Sequence, residues 1–470
     1  MKYFILAILA TFLFCIAIGF DISPYLRGPA PYPPEWRWEY YFVNTFSKIY
    51  LPTIIGFLII ELFWIIEKKK FLITRTKTLL LVLITLSFFF QLSVLDFSRS
   101  GVPVLIHRII NPELNSYFTA SLLIQDPIDF LKNYDQYLSH FVYHARSHPP
   151  GAVLIYYLVK QFISPFTFFI DFTNSLNPGH ADVKQLWNLL LPINKATAIF
   201  SAFFIPLLST LTLIPLYYSA KILYGTKVAI RSAFLFIFIP SIVLFIPIND
   251  VFLPLFSISS FLFLIKGLKE NKNKHFFISG LILFLGIFFS LSLLPLLLLF
   301  TIYSVFKIRK DKFKKYINPI LHFSIGFSLL PISFYLLFNF NFILLIQTIM
   351  NEVVHVHTRS YTTWIFYNLY DFFVFTGIAI STIFFALIKK FDKSDILFVS
   401  FLIFIIIVNL SGSTRGETGR IWSPYLPFII LPVVAFLTDK LKFSSKFFIG
   451  VLLLQGIQII IMQEFWVILW

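Results

Sequence analysis

The chain has 470 residues, of which 58% are hydrophobic and 13% charged, with a mean hydropathy of +0.84. Soluble domains carry roughly 25% charged residues, so a water-soluble globule is excluded, and apolar runs able to cross about 30 Å of hydrocarbon recur along the whole chain. The formal charge of +16 is therefore a topology signal and not a nucleic-acid footprint, while a single cysteine, Cys15, leaves no disulfide framework or thiol metal cluster.

These features predict an all-α, polytopic integral membrane protein. The first run, about 3–20, follows only Lys2 and lacks a small-residue cleavage motif, so it reads as an uncleaved span. The stretch 21–40, rich in proline and tryptophan, is expected to rest at the interface as an ordered outer loop. Spans follow near 49–66 and 78–95. The longest polar segment, 96–150, should carry helices around 114–125 and 127–139, with Asp126 as an N-cap before Pro127. Beyond Gly151 the apolar runs lie near 151–170, 193–219, 229–247, 251–266, 276–289, 291–306, 317–338, 365–388, 394–409, 424–438 and 447–465. Region 151–192 is either a crossing followed by a second short one near 184–192, or a re-entrant element. The short runs 276–289 and 291–306 read as a half-depth hairpin meeting at Ser290–Pro295. About 13 crossings are expected, with a cytoplasmic N-terminus and an outer C-terminus, in one domain spanning 1–470.

The basic residues set the orientation. Six tight clusters together with Lys2 hold 25 of the 38 lysines and arginines, and short loops of this kind stay cytoplasmic. Within that set 22 are lysine. Of the 13 remaining basic residues 8 are arginine: Arg27, Arg37, Arg99, Arg108, Arg146, Arg359, Arg415 and Arg420. Any cation serves topology, whereas the planar guanidinium fork suits phosphate and carboxylate. The outer face is thus the side expected to handle an anion.

Four outer motifs carry candidate chemistry. "HARSHPPG" places His144, Arg146 and His148 before a diproline that starts an apolar run. "PIND" puts Asp250 at a turn between spans. "HVHTRSY" offers His355, His357, Arg359 and Tyr361, read as an interfacial phosphate-contacting cluster, since histidines at i and i+2 share a side only on a strand. "GSTRGETGRIW" brings Arg415, Glu417 and Arg420 into a glycine-rich loop where the backbone can approach a ligand closely.

With "ELNSY" (Glu113–Tyr117) and the loop end "SHPPG", the chain resembles the GT-C class of polytopic glycosyltransferases, which includes protein O-mannosyltransferases and lipid A aminoarabinose transferases. In that class a long first outer loop carries an acidic motif of the type D-E-x-x-Y and closes on K-P-P or H-P-P. "YFTASLLIQDPIDFLKNY" also looks like a poorly characterised bacterial branch, and the resemblance is specific over about 96–270. Here Glu113 is followed by Leu114 instead of a second acid, so Asp96, at the mouth of the preceding span, is a rival for the catalytic base.

The resemblance implies sugar transfer from a polyprenyl-phosphate carrier to a hydroxyl of a lipid, glycan or protein acceptor. It places 96–150 as the catalytic loop on the extracytoplasmic face, with the plasma membrane as the expected location, membrane lipids as surroundings and no nucleic-acid partner. It also implies inversion by single displacement. The leaving phosphate must be met by arginine, histidine or a bound divalent cation, and one carboxylate, Glu113 or Asp96, must take the acceptor proton. No other cofactor and no protein metal site is expected. A lipid-linked oligosaccharide polymerase or ligase is the nearest alternative, though it usually lacks the H-P-P loop end. A flippase or other transporter would need polar residues through mid-membrane, where only Glu61 and Asp371 occur.

Overall fold

A computed structural model describes residues 2–42, 45–69, 75–98, 101–178, 181–307, 317–353, 358–390 and 394–468. It is a bundle of helices, and its one small sheet pairs Glu39–Tyr40 antiparallel with Trp466–Val467. The chain is an all-α, multi-pass integral membrane protein. Among the described residues seven helices are long and apolar enough to span, from Lys2–Gly19 to Ser445–Phe465, and up to nine spans result if two sharply bent pairs each count as one. The run-based expectation of about 13 crossings therefore exceeds the number of full-length spans. Several apolar runs are interrupted helices: Thr226–Ile237 stops before Pro240, and Asn273–Phe289 stops at an extended Ser290.

The two ends of the bundle differ in chemistry, as the charge partition anticipated. Arg231 pairs with Glu67 at 2.8 Å, Lys390 lies over the Tyr3 ring, and Phe4 packs on Phe443, so the lysine clusters meet at one end. The opposite end gathers the loops 21–42, 101–150, 240–252 and 411–425.

Region 151–192 contains a sharply bent helix pair. Helices Gly151–Ile163 and Thr167–Ser175 meet at 110°. Lys195 Nζ then donates to Asn174 Oδ1 at 3.0 Å, and Trp187 Nε1 donates to the Leu176 carbonyl at 3.2 Å. The second helix thus ends beside the start of Pro192–Thr210.

The half-depth hairpin needs correction. Helix Asn273–Phe289 packs mainly on Leu253–Glu270 and Ile317–Phe338, whereas Leu296–Lys307 packs mainly on Ile396–Ser411. Gly280 and Gly326 explain the first preference: a Cβ on either would collide with the main-chain carbonyl of Phe323 or Phe277, so only glycine permits so close a crossing.

The second bent pair, Tyr361–Thr376 and Ile378–Lys390, turns through 117° at Gly377, whose φ is +109°. A break inside hydrocarbon frees backbone groups that water cannot reach. Two glutamines of Ser445–Phe465 meet them. Gln458 accepts from Ile378 N–H at 2.7 Å and donates to the Val374 carbonyl at 2.8 Å. Gln455 Nε2 donates to the carbonyls of Thr376 and Phe238.

Candidate functional site

The segment 101–150 folds into short helices, including Pro103–Ile110, Ser116–Ser121, Pro127–Lys132 and Tyr134–His140. Asp126 caps the third, its carboxylate accepting from Ile128 N–H at 2.9 Å, as the sequence predicted. Ser116 Oγ accepts from Ala145 N–H at 2.7 Å and Tyr134 O–H donates to the His148 carbonyl at 2.9 Å, which fixes the H-P-P turn against the loop. His148 Nδ1 lies 2.8 Å from the His144 carbonyl. A carbonyl only accepts, so Nδ1 carries the proton and Nε2 is left as an acceptor. The ring meets Tyr117 edge-on at 5.1 Å.

Three motifs far apart in sequence converge on Arg420. Its Nη1 donates to Asp250 Oδ2 and its Nη2 to Glu417 Oε2, both at 2.7 Å. Arg420 is 8% and Asp250 7% exposed, so this is a buried, charge-assisted network. The Nε of Arg420 is buried with no hydrogen-bond partner among the described residues. Arg359 reaches Glu417 at 3.5 Å and donates to the carbonyls of Arg415 and Pro34. Burial pushes the Glu417 carboxyl up, but Arg420 and Arg359 outweigh it and hold it below the usual glutamate value. For Arg420, burial is outweighed by Asp250 and Glu417, which fix its charge. Burial, then the neighbouring Arg420, lowers His144 to about 4, and burial does the same for His148. Both imidazoles are neutral at physiological pH.

The 411–424 loop is held from below by the helix Tyr361–Thr376. Asn368 donates to the Thr414 carbonyl and accepts from Gly416 N–H, at 2.7 and 3.1 Å. Asp371 accepts from Gly419 N–H at 2.6 Å and from Trp38 Nε1 at 3.2 Å. The loop's glycines serve its own packing: a Cβ on Gly416, at φ +110°, would strike Arg359, and one on Gly419 would strike the Phe375 ring. Glu417 itself adopts a left-handed φ of 57°, a conformation that costs a non-glycine residue about 1–2 kcal/mol, and its two arginines compensate.

The other predicted residues fall around this cluster. Glu113 is exposed, and its main-chain carbonyl is a hydrogen-bond partner of the His144 ring. Asp96 is half-buried at the end of its helix, with its carboxylate beside Gly101. Arg146 donates to the carbonyls of Leu138 and Ser139. Arg415 donates to the Arg359 carbonyl and lies over the Tyr361 ring, while Tyr361 O–H donates to the Leu410 carbonyl. His355 and His357, like Arg99, lie outside the described residues.

Sequence reasoning missed Glu35, which accepts from Ser360 N–H at 3.0 Å and Trp364 Nε1 at 2.5 Å and so ties the first outer loop to the start of helix Tyr361–Thr376, next to Arg359. It also missed the chain Asn115–Tyr156–Asn249, with hydrogen bonds of 2.8 and 3.1 Å running to the residue before Asp250. A carboxylate in the otherwise proline- and tryptophan-rich "PPEWRW" was the available signal for the first.

A divalent cation does not fit this cluster, because the guanidinium already stands between its two carboxylates. Among the described residues no three His, Cys, Asp or Glu side chains form a ligating group.

Residues 187–338 match the family model of dolichyl-phosphate-mannose-protein mannosyltransferase. The matched stretch contains Asp250 and the helices that carry it, while the H-P-P loop and the 411–424 loop lie outside it. No curated protein matches the chain. The family match bears out the resemblance seen in the sequence and supports a multi-pass membrane glycosyltransferase of the GT-C type.

Proposed function

We propose that the protein moves a sugar from a polyprenyl-phosphate carrier to an acceptor hydroxyl of a lipid, glycan or protein, by single inverting displacement at the extracytoplasmic face of the plasma membrane. The observation that carries this reading is the convergence of the H-P-P turn, Asp250 and the 411–424 loop on one buried arginine. A leaving phosphate develops charge as the glycosidic bond breaks, and a preorganised guanidinium stabilises it without rearranging at that moment. Arg420 meets it through its unspent Nε–H, with Arg359 adding a second cation at the rim. The neutral His144 and His148 orient the phosphate and sugar without adding charge.

The base is Glu113, with Asp96 as the alternative. Glu417 is ion-paired to Arg420 and Arg359, which weakens it as a proton acceptor, and Asp250 Oδ2 is committed to the Arg420 fork. Glu113 has no cationic partner among the described residues and borders His144. A transport role finds little to use in mid-bundle, since Glu61 is exposed on the bundle surface and Asp371 is committed to Trp38 and Gly419.

The test is transfer from a defined polyprenyl-phosphate sugar to extract-derived acceptors in detergent. Glu113→Gln should keep donor binding and lose about 10²–10⁴ in turnover, the usual contribution of a general base. Normal turnover in both Glu113→Gln and Asp96→Asn would reject both bases, and no transfer by the wild-type protein would reject the reaction.

A further inference from the structure

The end of the bundle opposite Arg420 contains a cavity of about 270 Å³. Its walls come from the ends of helices Leu213–Tyr224, Leu296–Lys307 and Ile378–Lys390, the start of Ile396–Ser411, and a π-turn over Phe436–Lys440. All but one of these present a C-terminal end, where aligned carbonyls favour a cation. Wide π-turns inside helices recur at functional positions.

The polar lining has the same preference. Tyr224 O–H lies 2.9 and 3.0 Å from the two oxygens of Asp395, whose Oδ1 also caps its helix by accepting from Phe398 N–H. Asp439, on the π-turn, adds a second carboxylate and Tyr303 a second phenol. Lys307 and Lys440 stand exposed at the rim. Leu387, Leu397 and Phe436 supply apolar wall. Close by, Val305, Phe306 and Phe385 are 60%, 45% and 53% exposed, which marks this level of the bundle as facing lipid.

We propose that this cavity binds the headgroup of an aminophospholipid of the phosphatidylethanolamine type. The ammonium points inward to Asp439 and Asp395, and the phosphate stays at the rim between Lys307 and Lys440. A purely anionic headgroup would face two carboxylates, and a trimethylated one would have no N–H to donate to them. This site is independent of the sugar-transfer reading and lies at the other end of the molecule.

Native mass spectrometry of the full-length protein, offered lipids of equal chain length, tests it. Phosphatidylethanolamine should be retained about tenfold over phosphatidylcholine and phosphatidylglycerol, the ratio expected from one charge-assisted hydrogen bond. Stepwise N-methylation should lower retention progressively. Asp439→Asn changes an exposed side chain, and it should erase the preference over phosphatidylcholine while leaving the melting temperature in lipid-free detergent unchanged. Lys307→Gln should weaken retention of all three phosphate-bearing lipids alike. Equal retention of the three lipids by the wild-type protein, a preference for phosphatidylglycerol, or an unaltered preference in Asp439→Asn would each overturn the proposal. Soluble phosphoethanolamine competing as well as a short-chain lipid would overturn it too, by assigning the cavity to a soluble ligand.

Discussion

Replacing Arg420 by lysine keeps the charge and removes the fork. The guanidinium reaches Asp250 and Glu417 with two separate nitrogens, each at 2.7 Å. An ammonium is a single point and satisfies one carboxylate well. The side chains of all three residues are only 10–14% exposed, so the abandoned carboxylate gains little from solvent. Losing one hydrogen bond to a charged group costs about 1.5–3 kcal/mol, which corresponds to roughly 10–150-fold if it falls on transition-state stabilisation. Arg420→Gln removes both pairings, strands the buried Asp250 charge and leaves Glu417 only Arg359 at 3.5 Å, a loss of about 3–5 kcal/mol. The decisive comparison is thermal unfolding of Arg420→Gln beside the triple variant Arg420→Gln, Asp250→Asn, Glu417→Gln. The triple variant has no stranded carboxylate and should recover much of the stability while remaining inactive in transfer. If Arg420→Lys melted and transferred like the wild-type protein, or the triple variant were no more stable than Arg420→Gln, the buried network would not be what organises this site.

Acid should destabilise the protein in a defined window. His144 and His148 are held near 4 against an ordinary 6.5, so the unfolded chain binds protons that the folded one refuses, and stability falls as pH drops from about 6.5 to 4. Glu417, held below its usual 4.5, acts in the same direction below that pH; melting curves should show a flatter slope over pH 4–6.5 in His144→Asn, His148→Asn. Asp371→Asn cannot accept from Gly419 and Trp38 as the carboxylate does, and should lower stability by about 1–3 kcal/mol, with protease cleavage in 411–424 accelerated. Gly280→Val forces a side chain into the Phe323 carbonyl and should cost about 1–3 kcal/mol or more, read as a lower melting temperature. Cysteines at 125–140 or 411–414 should react with an impermeant thiol reagent in intact cells, and those at 269–272 should not; the reverse pattern would invert the topology.

The charge partition was legible because topology is a local property of each loop: lysine-rich loops gather at one end and the arginine-bearing loops at the other. Asp126 before Pro127 was legible for the same reason, since a cap needs only its own next turn. Described residues of the four motifs lie near one another, but the motifs do not state their connections. Nothing in "PIND" states that Asp250 meets an arginine 170 residues further on. Arg146 and Arg415 show the other limit, because an arginine that grips main-chain carbonyls has the same flanking sequence as one that grips phosphate. One helix break was hidden as well. Gly377 sits inside the run 365–388, whose hydropathy passes smoothly over it, whereas Ser290 was legible as the boundary between the runs 276–289 and 291–306.

The glutamines of the last long helix reverse the usual rule for engineering a span. Hydropathy would score Gln455→Leu or Gln458→Leu as an improvement, since either makes the segment more apolar. In this protein those amides stand in for helix hydrogen bonds that the turn at Gly377 cannot make, and Gln455 serves the carbonyl of Phe238 beside a second break. A leucine would leave carbonyls and an amide N–H without partners in hydrocarbon, each costing several kcal/mol. The more membrane-like sequence would therefore be the less stable membrane protein. Polar residues inside the spans of multi-pass membrane proteins can be backbone surrogates, and this possibility comes before their assignment to transport or catalysis.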